Sequence, residues 1–273
     1  MNLDKKYQEL MAYLEKLGRV AVAFSGGVDS TFLARVAYDV LGENAIAVTA
    51  TSSTYPEREF KEACELAKKI GITHIVIESE ELDIQGFAKN PKNRCYYCKK
   101  NLFTKVEEVA KKRGIRYVAD GSNFDDLGDF RPGMQAALEL KVVSPLKQNS
   151  FTKNDIRVLS RNLDLPTWDK PAFACLSSRF PYGHEITSDK LKMVDQAEEY
   201  LLGLGFRQLR VRHHGEIARI EVAPKDIFRF FSENLIEQVA TKFKDIGFTY
   251  VTLDLAGYRT GSMNEVLRKA GEI

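Results

Sequence analysis

The run Phe24-Ser25-Gly26-Gly27-Val28-Asp29-Ser30 constrains this chain more than any other segment. Before it, residues 19–23 are apolar and β-rich, as a buried parallel strand requires; after it, residues 31–41 place Phe32, Ala37 and Val40 along one side of a helix. Gly26 and Gly27 let the backbone between strand and helix turn tightly and point its N–H groups inward. The helix N-terminus adds partial positive charge, so an anion fits there. Ser25 and Ser30 offer hydroxyls, and Asp29 can organise a cation or a nucleotide hydroxyl. No lysine follows the glycines, so this is not a Walker-type loop. Its position at the first strand and its two serines set it apart from an ordinary glycine turn.

This Ser-Gly-Gly-x-Asp-Ser loop resembles the pyrophosphate loop (PP-loop) of the N-type ATP pyrophosphatases. The resemblance implies cleavage of ATP between its α- and β-phosphates, with Mg2+, and transfer of AMP to a carboxylate or carbonyl oxygen. It implies nothing about the acceptor.

Beyond the loop, strand-like and helix-like stretches alternate. We expect a leading helix over 3–17, strands at 19–23, 45–49, 74–78 and 117–120, and helices over 59–70 and 99–113. Residues 142–144 suggest a short fifth strand and 154–162 a further helix. Such alternation means an α/β fold with a doubly wound parallel sheet, its ligand sites at the carboxyl ends of the strands. The PP-loop resemblance makes the sheet adenine nucleotide alpha hydrolase-like. Residues 166–187, interrupted by Pro166, Pro171 and Pro181, read as a functional connecting loop after a nucleotide domain over 1–165. The pattern then changes, with helices expected at 189–204, 225–232 and 234–246 and strands at 206–212, 217–222 and 249–255. That makes 188–273 a second, smaller α+β domain with antiparallel strands.

Composition excludes several classes. Forty basic against 38 acidic residues leave a net charge of +2, which does not call for a nucleic-acid partner. No apolar run approaches the roughly 18 residues of a membrane span, and residues 1–5 lack a signal-peptide pattern, so a cytoplasmic location is expected. Four cysteines in such a chain read as chemistry or packing, not as a disulfide framework.

Cys95 and Cys98 form Cys-Tyr-Tyr-Cys beside Arg94, Lys99 and Lys100, and Cys175 lies in Cys-Leu-Ser-Ser-Arg-Phe-Pro-Tyr-Gly. The three could be a buried pair plus a core cysteine. A redox pair usually opens a helix in a thioredoxin-like unit, and the context here differs. They could instead join around zinc or an iron–sulfur cluster. Zinc takes four protein ligands, and only His184 sits near in sequence as a fourth; three thiolates on a [4Fe–4S] cluster leave one iron open to hydrosulfide. Cys64 shares a helical stripe with Phe60, Ala63, Ala67 and Ile70 and is assigned to the core.

Arg210 and Arg212 alternate onto one face of a strand, where two guanidiniums suit a phosphate. Glu198, on the preceding helix, could brace one of them or bind metal. Arg179, four residues after Cys175, could hold a carboxylate or phosphate. His213 and His214 are expected in a turn. Gly121, Asp125, Asp126 and Arg131 follow the fourth strand, where a nucleotide or pyrophosphate should end. Lys99 or Lys100 could neutralise phosphate charge.

Together with the PP-loop, the segments Arg131-Pro132-Gly133, Cys175 to Gly183, Arg210-Val211-Arg212, residues 217–221 and residues 250–255 resemble the LarE-type ATP-dependent sulfur transferases of nickel-pincer cofactor biosynthesis. The resemblance covers nearly the whole chain. It implies adenylation of pyridinium-3,5-biscarboxylate mononucleotide, conversion of its carboxylates to thiocarboxylates, a sulfide source and a homo-oligomer. Some members surrender the sulfur of a cysteine matching Cys175. The presence of Cys95 and Cys98 places this chain with the three-cysteine members, which look cluster-dependent.

Three rivals compete with that reading. A tRNA thiolation enzyme also couples such a loop to three cysteines, but near-neutral charge counts against it. An ammonia-using synthetase needs no Cys-x-x-Cys. An iron–sulfur sensor would not need an intact Asp29 and Ser30.

Overall fold

The computed structural model describes residues 2–128, 132–232, 234–269 and 271, and the chain divides into two units. The first comprises residues 1–84 and 93–173; the second comprises 85–92 and 174–273. Residues 85–92, expected from the sequence in the nucleotide domain, therefore cluster with the second unit.

The first unit is built on four parallel strands, β1 (Val20–Ala23), β2 (Ala45–Thr51), β3 (Thr73–Glu78) and β4 (Tyr117–Ala119), in the order β3-β2-β1-β4. Helices α1 (Leu3–Leu17), α2 (Val28–Leu41), α3 (Glu57–Ile70), α4 (Arg94–Lys112), α5 (Gly133–Glu139), α6 (Pro145–Gln148) and α7 (Lys153–Asn162) connect and cover them. The strand period of two explains why both sheet faces are apolar. Val20, Val22, Ala45 and Ala47 pack with Leu10 and Leu14 of α1, Phe32 and Leu33 of α2, Ala63 and Leu66 of α3 and Ile156 of α7. Ala21, Ile46 and Val48 face the other way, onto Phe103, Val106 and Ala110 of α4. The sheet is doubly wound, as expected.

Several boundaries move. α4 begins at Arg94, so Cys95 and Cys98 lie in its opening turns and the Cys-x-x-Cys does open a helix. The helix-like period from Lys99 onward hides this, because residues 94–98 carry little apolar signal. The expected strand at 142–144 is reduced to one isolated bridge, Ala119 to Val143. Cys64 is half-buried at the margin of the α3 stripe, whose buried positions are Glu59, Ala63, Leu66, Ala67 and Ile70; burial and then Glu65 push its thiol pKa up.

The second unit holds α8 (Ser188–Gly203), β5 (Leu209–His214), β6 (Ile217–Val222), α9 (Leu235–Ile246), β7 (Tyr250–Leu253) and α10 (Glu265–Lys269). Its sheet order is β5-β6-β7. β5 and β6 form an antiparallel hairpin, but β6 and β7 are parallel, which corrects the expectation of an antiparallel sheet. A helix between two adjacent strands returns the chain in the same direction, and α9 plays that part. β5 also runs to His214, so the two histidines end a strand; the turn is at Gly215, with φ of +67°. Of residues 225–232, expected as an α-helix, 225–231 lie in a 3-10 segment over Pro224–Phe231 and Ser232 is extended.

Candidate active site

The PP-loop lies where the chain reverses its direction of sheet building. β1 is followed on one side by β2 and β3 and on the other by β4, and ligands bind at such switch points, beyond the strands' carboxyl ends. The loop is held by its own side chains. Ser25 N donates to Ser30 Oγ at 3.2 Å, the two serine hydroxyls are 3.1 Å apart, and Ser30 Oγ lies 3.3 Å from the Gly27 carbonyl. Gly26 has φ of +64°, and a Cβ there would stand 3.0 Å from Cβ of Ala63. Only glycine satisfies both the left-handed conformation and that close approach. Gly27 caps α2 without a side-chain acceptor, so the first amides of α2 have no cap from that residue.

Asp29, in the first turn of α2, is the loop's carboxylate. Its Oδ2 accepts from Lys153 Nζ at 2.5 Å and its Oδ1 from Asn123 Nδ2 at 3.4 Å. Asn123 is buried in the loop after β4, where its amide N–H donates to Asp126 and its Oδ1 accepts from Asp125 N. Gly121 lies in the same loop, and a Cβ there would fall 3.0 Å from the Ser30 nitrogen. The loop after β4 therefore lies directly against the start of α2. Arg131 lies outside the described residues.

Four consecutive carbonyls of the PP-loop are engaged. Thr49 Oγ1 donates to Phe24 O at 2.8 Å, the Tyr55 hydroxyl to Ser25 O at 2.9 Å, Lys170 Nζ to Gly26 O at 3.4 Å and Ser30 Oγ to Gly27 O. Lys170 is also ion-paired to Glu59 at 2.8 Å and Glu62 at 2.7 Å. Burial, and then the Glu59 carboxylate, push the Tyr55 phenol well above its usual range, so its proton stays in place.

The lysines at the loop are thus Lys153 and Lys170, neither of which the sequence singles out. Lys99 sits over the Phe103 ring at 5.3 Å, and its stem is so near Gly133 that a Cβ there would meet it at 2.8 Å. Lys100 is exposed and bonds the Tyr96 hydroxyl at 3.0 Å and Glu139 at 3.5 Å. Lys153 stands at the start of α7 behind a Thr152–Asp155 capping box, a signal readable in sequence only as a helix start.

None of the four cysteines is in a disulfide. Cys95 is exposed; Cys98 is half-buried, with Sγ 3.6 Å from Oε1 of Glu81, a buried carboxyl whose pKa burial pushes up. Cys175 lies in the second unit and precedes a 3-10 turn over Leu176–Arg179. Thiols are the right donors for an iron–sulfur cluster, yet among the described residues no three His, Cys, Asp or Glu gather around a metal position.

The second unit does bring its candidate residues together. Arg179 is buried and makes a two-pronged pair with Glu198, at 2.9 and 2.8 Å, while Glu198 also accepts from Val211 N at 3.0 Å. Arg179 Nη1 further donates to the carbonyls of Ala174 and Cys175. Arg212 pairs two-pronged with Glu221 at 3.0 and 2.8 Å and donates to Ser178 O and Ser262 Oγ. Arg210 stacks 5.1 Å over Tyr258; burial, and then Arg179, push its pKa down to about 10. Arg179, Glu198 and Arg212 therefore use most of their bonding capacity on the protein. Arg212 and Arg219 face each other across β5 and β6, a repulsive placement that Glu221 and Asp254 offset.

The chain is similar to several known proteins. The NAD synthase family profile matches residues 3–123, which carry the PP-loop. A GMP synthase of Pyrobaculum aerophilum is 27% identical over 168 residues, 55% of this chain and 33% of that one. An uncharacterised protein of Synechocystis is 46% identical over 267 residues, 98% of this chain and 100% of its own length. The pyridinium-3,5-bisthiocarboxylic acid mononucleotide synthase of Lactiplantibacillus plantarum is 40% identical over 269 residues, 98% of this chain and 97% of that protein. With a PP-loop at the switch point of a parallel sheet and likeness along the full length of that synthase, this chain is an ATP-using enzyme that belongs to the LarE family.

Proposed function

We propose that this enzyme adenylates the carboxylates of pyridinium-3,5-biscarboxylic acid mononucleotide and converts them to thiocarboxylates. The observation that carries this reading is the PP-loop cradle, in a chain similar to the Lactiplantibacillus synthase from end to end. A carboxylate is a poor electrophile. Its oxygen attacks the α-phosphorus of ATP, pyrophosphate leaves, and the acyl-adenylate then has AMP as a leaving group. A sulfur nucleophile adds to the acyl carbon and AMP departs. The protein's share of the first step is positioning and charge neutralisation. The loop amides serve the phosphates, Asp29 is the carboxylate for a Mg2+ carried by ATP, and Lys153 supplies positive charge in place of Lys99 or Lys100. Arg210, held in place over the Tyr258 ring, is assigned to the substrate phosphate, whose oxygens match a guanidinium's planar fork of donors.

We assign the sulfur supply to Cys95, Cys98 and Cys175 as ligands of a [4Fe–4S] cluster. The donor types support this, since thiolates are the ordinary ligands of such clusters. A second reading is favoured by Arg179, whose buried guanidinium holds the Cys175 carbonyl and so fixes the backbone at that residue. In that reading the Cys175 thiolate displaces AMP from the acyl-adenylate to give a thioester; loss of the Cα proton with cleavage of the Cβ–S bond then leaves dehydroalanine, and the sulfur departs on the product as thiocarboxylate. Protein prepared without oxygen is incubated with ATP, Mg2+ and the biscarboxylate nucleotide, with and without sodium sulfide, while AMP and thiocarboxylate are measured. Iron and labile sulfide that vanish in Cys95→Ala together with activity support the cluster. Colourless active protein that loses the mass of hydrogen sulfide at Cys175 establishes the second reading. AMP release without thiocarboxylate overturns sulfur transfer altogether.

A further inference from the structure

The Ser-Gly-Gly-x-Asp-Ser run contains two adjacent glycines, and Gly26 holds φ of +64°. The peptide between Gly26 and Gly27 has no side chain on either flank, so it is the softest link in the cradle. A cradle of backbone amides works only if those amides are aimed before the phosphate arrives. In a planar trans peptide, the carbonyl of one residue and the N–H of the next point in opposite directions, and the chain has no cis peptide among its described residues. Holding a carbonyl on one side therefore aims the following N–H at the other.

Two residues outside the motif hold the two carbonyls that matter most. The Tyr55 hydroxyl, from the turn after β2, shares its proton between Ser25 O at 2.9 Å and Glu59 O at 3.1 Å. This aims the Gly26 N–H. Lys170 Nζ lies 3.4 Å from Gly26 O, a long contact, but the ammonium is fixed by Glu59 and Glu62 and its charge favours the carbonyl dipole. This aims the Gly27 N–H. Lys170 is itself held, because Arg157 on α7 donates to the carbonyls of Trp168 at 2.7 Å and Lys170 at 2.8 Å. With three acceptors on three N–H donors, the Lys170 ammonium has no spare donor for a phosphate. Lys153 differs: among the described residues its ammonium has a single carboxylate partner.

We propose that Tyr55 and Lys170 are positioning residues that preorganise the pyrophosphate cradle by holding the Ser25 and Gly26 carbonyls outward. The proposal rests on the loop binding the pyrophosphate part of ATP.

The full-length protein is titrated calorimetrically with Mg2+ and α,β-methylene-ATP, an analogue that cannot be cleaved at the relevant bond, and separately with AMP. Wild-type protein should bind the analogue more tightly than AMP; equal affinities would refute the loop reading and this proposal with it. Tyr55→Phe, which keeps the ring and its packing, should weaken the analogue about three- to tenfold, the worth of one hydrogen bond, and leave AMP binding unchanged. Lys170→Met should behave alike, and Lys170→Arg should restore the affinity. Parallel losses for both ligands would show a general structural defect, and no loss for either would show an idle contact; both overturn the proposal.

Discussion

Lys153 Nζ and Asp29 Oδ2 lie 2.5 Å apart across 124 positions of sequence. Their side chains are 32% and 24% exposed, so solvent screens the pair and it contributes at most about 1 kcal/mol to stability. An ion pair that weak opens easily, which leaves a cation and a carboxylate available for the magnesium–triphosphate complex proposed for this loop. The pair waits on the loop as a ready but loosely held charge set.

Removing that cation should act on chemistry more than on folding. Lys153→Met is expected to lower the rate of AMP formation about a hundredfold, the usual loss when one preorganised charge donor is deleted. Steady-state kinetics against a thermal melt checks it: a large fall in kcat with a little-changed Tm is the expected outcome. A near wild-type rate would remove Lys153 from the site.

Gly121 offers a steric test of the contact between the loop after β4 and α2. A Cβ at this position would stand 3.0 Å from Ser30 N and 3.2 Å from Ser30 Cα, backbone atoms that cannot swing away. Gly121→Ala should displace the first turn of α2 by a few tenths of an ångström and raise the KM for ATP about three- to tenfold, since misplacement near 1 Å would cost about a hundredfold. An unchanged KM would mean that the loop after β4 yields freely.

In the second unit, the Arg179–Glu198 pair predicts acid sensitivity. Burial alone would raise the Glu198 pKa, but Arg179 outweighs it and holds the carboxyl below its usual range. A depressed folded-state pKa contributes stability above the ordinary carboxylate value, near 4.3, and that stability is lost as pH falls through the lower folded value. Chemical denaturation of wild-type protein should therefore lose stability below about pH 4. Glu198→Gln, which leaves a buried guanidinium without its countercharge, should cost about 3–5 kcal/mol near neutral pH and flatten that acid limb. A neutral-pH cost under about 1 kcal/mol would show that Arg179 finds other partners.

The legible parts of this molecule were those encoded by local periodicity. The helix 3–17, the four parallel strands and the PP-loop carry their own apolar spacing or glycine geometry, so they can be read in place. The opening of α4 could not, because Arg94 to Cys98 lack an apolar stripe and owe their helicity to the residues after Cys98. The parallel pairing of β6 with β7 was missed for a related reason: strand direction depends on how α9 crosses over, not on the strands' own residues.

Site residues divide the same way. Ser25 to Ser30 announce an anion-binding loop by their types and adjacency, because glycine freedom and a helix start are local properties. Lys153, Lys170 and Tyr55 carry no such mark; a lysine or tyrosine in an ordinary stretch becomes part of a site only when the chain returns it to the loop. Arg179 and Arg212 show the reverse case. Their sequence context suggests anion binding, and the fold pairs each with a glutamate that no local pattern announces, because a buried guanidinium without a countercharge is too costly to keep. Sequence alone determined the kind of chemistry, through backbone rules that act over a few residues. Which charged side chains stand at the loop, and which are paired inside the protein, was decided by long-range packing and desolvation.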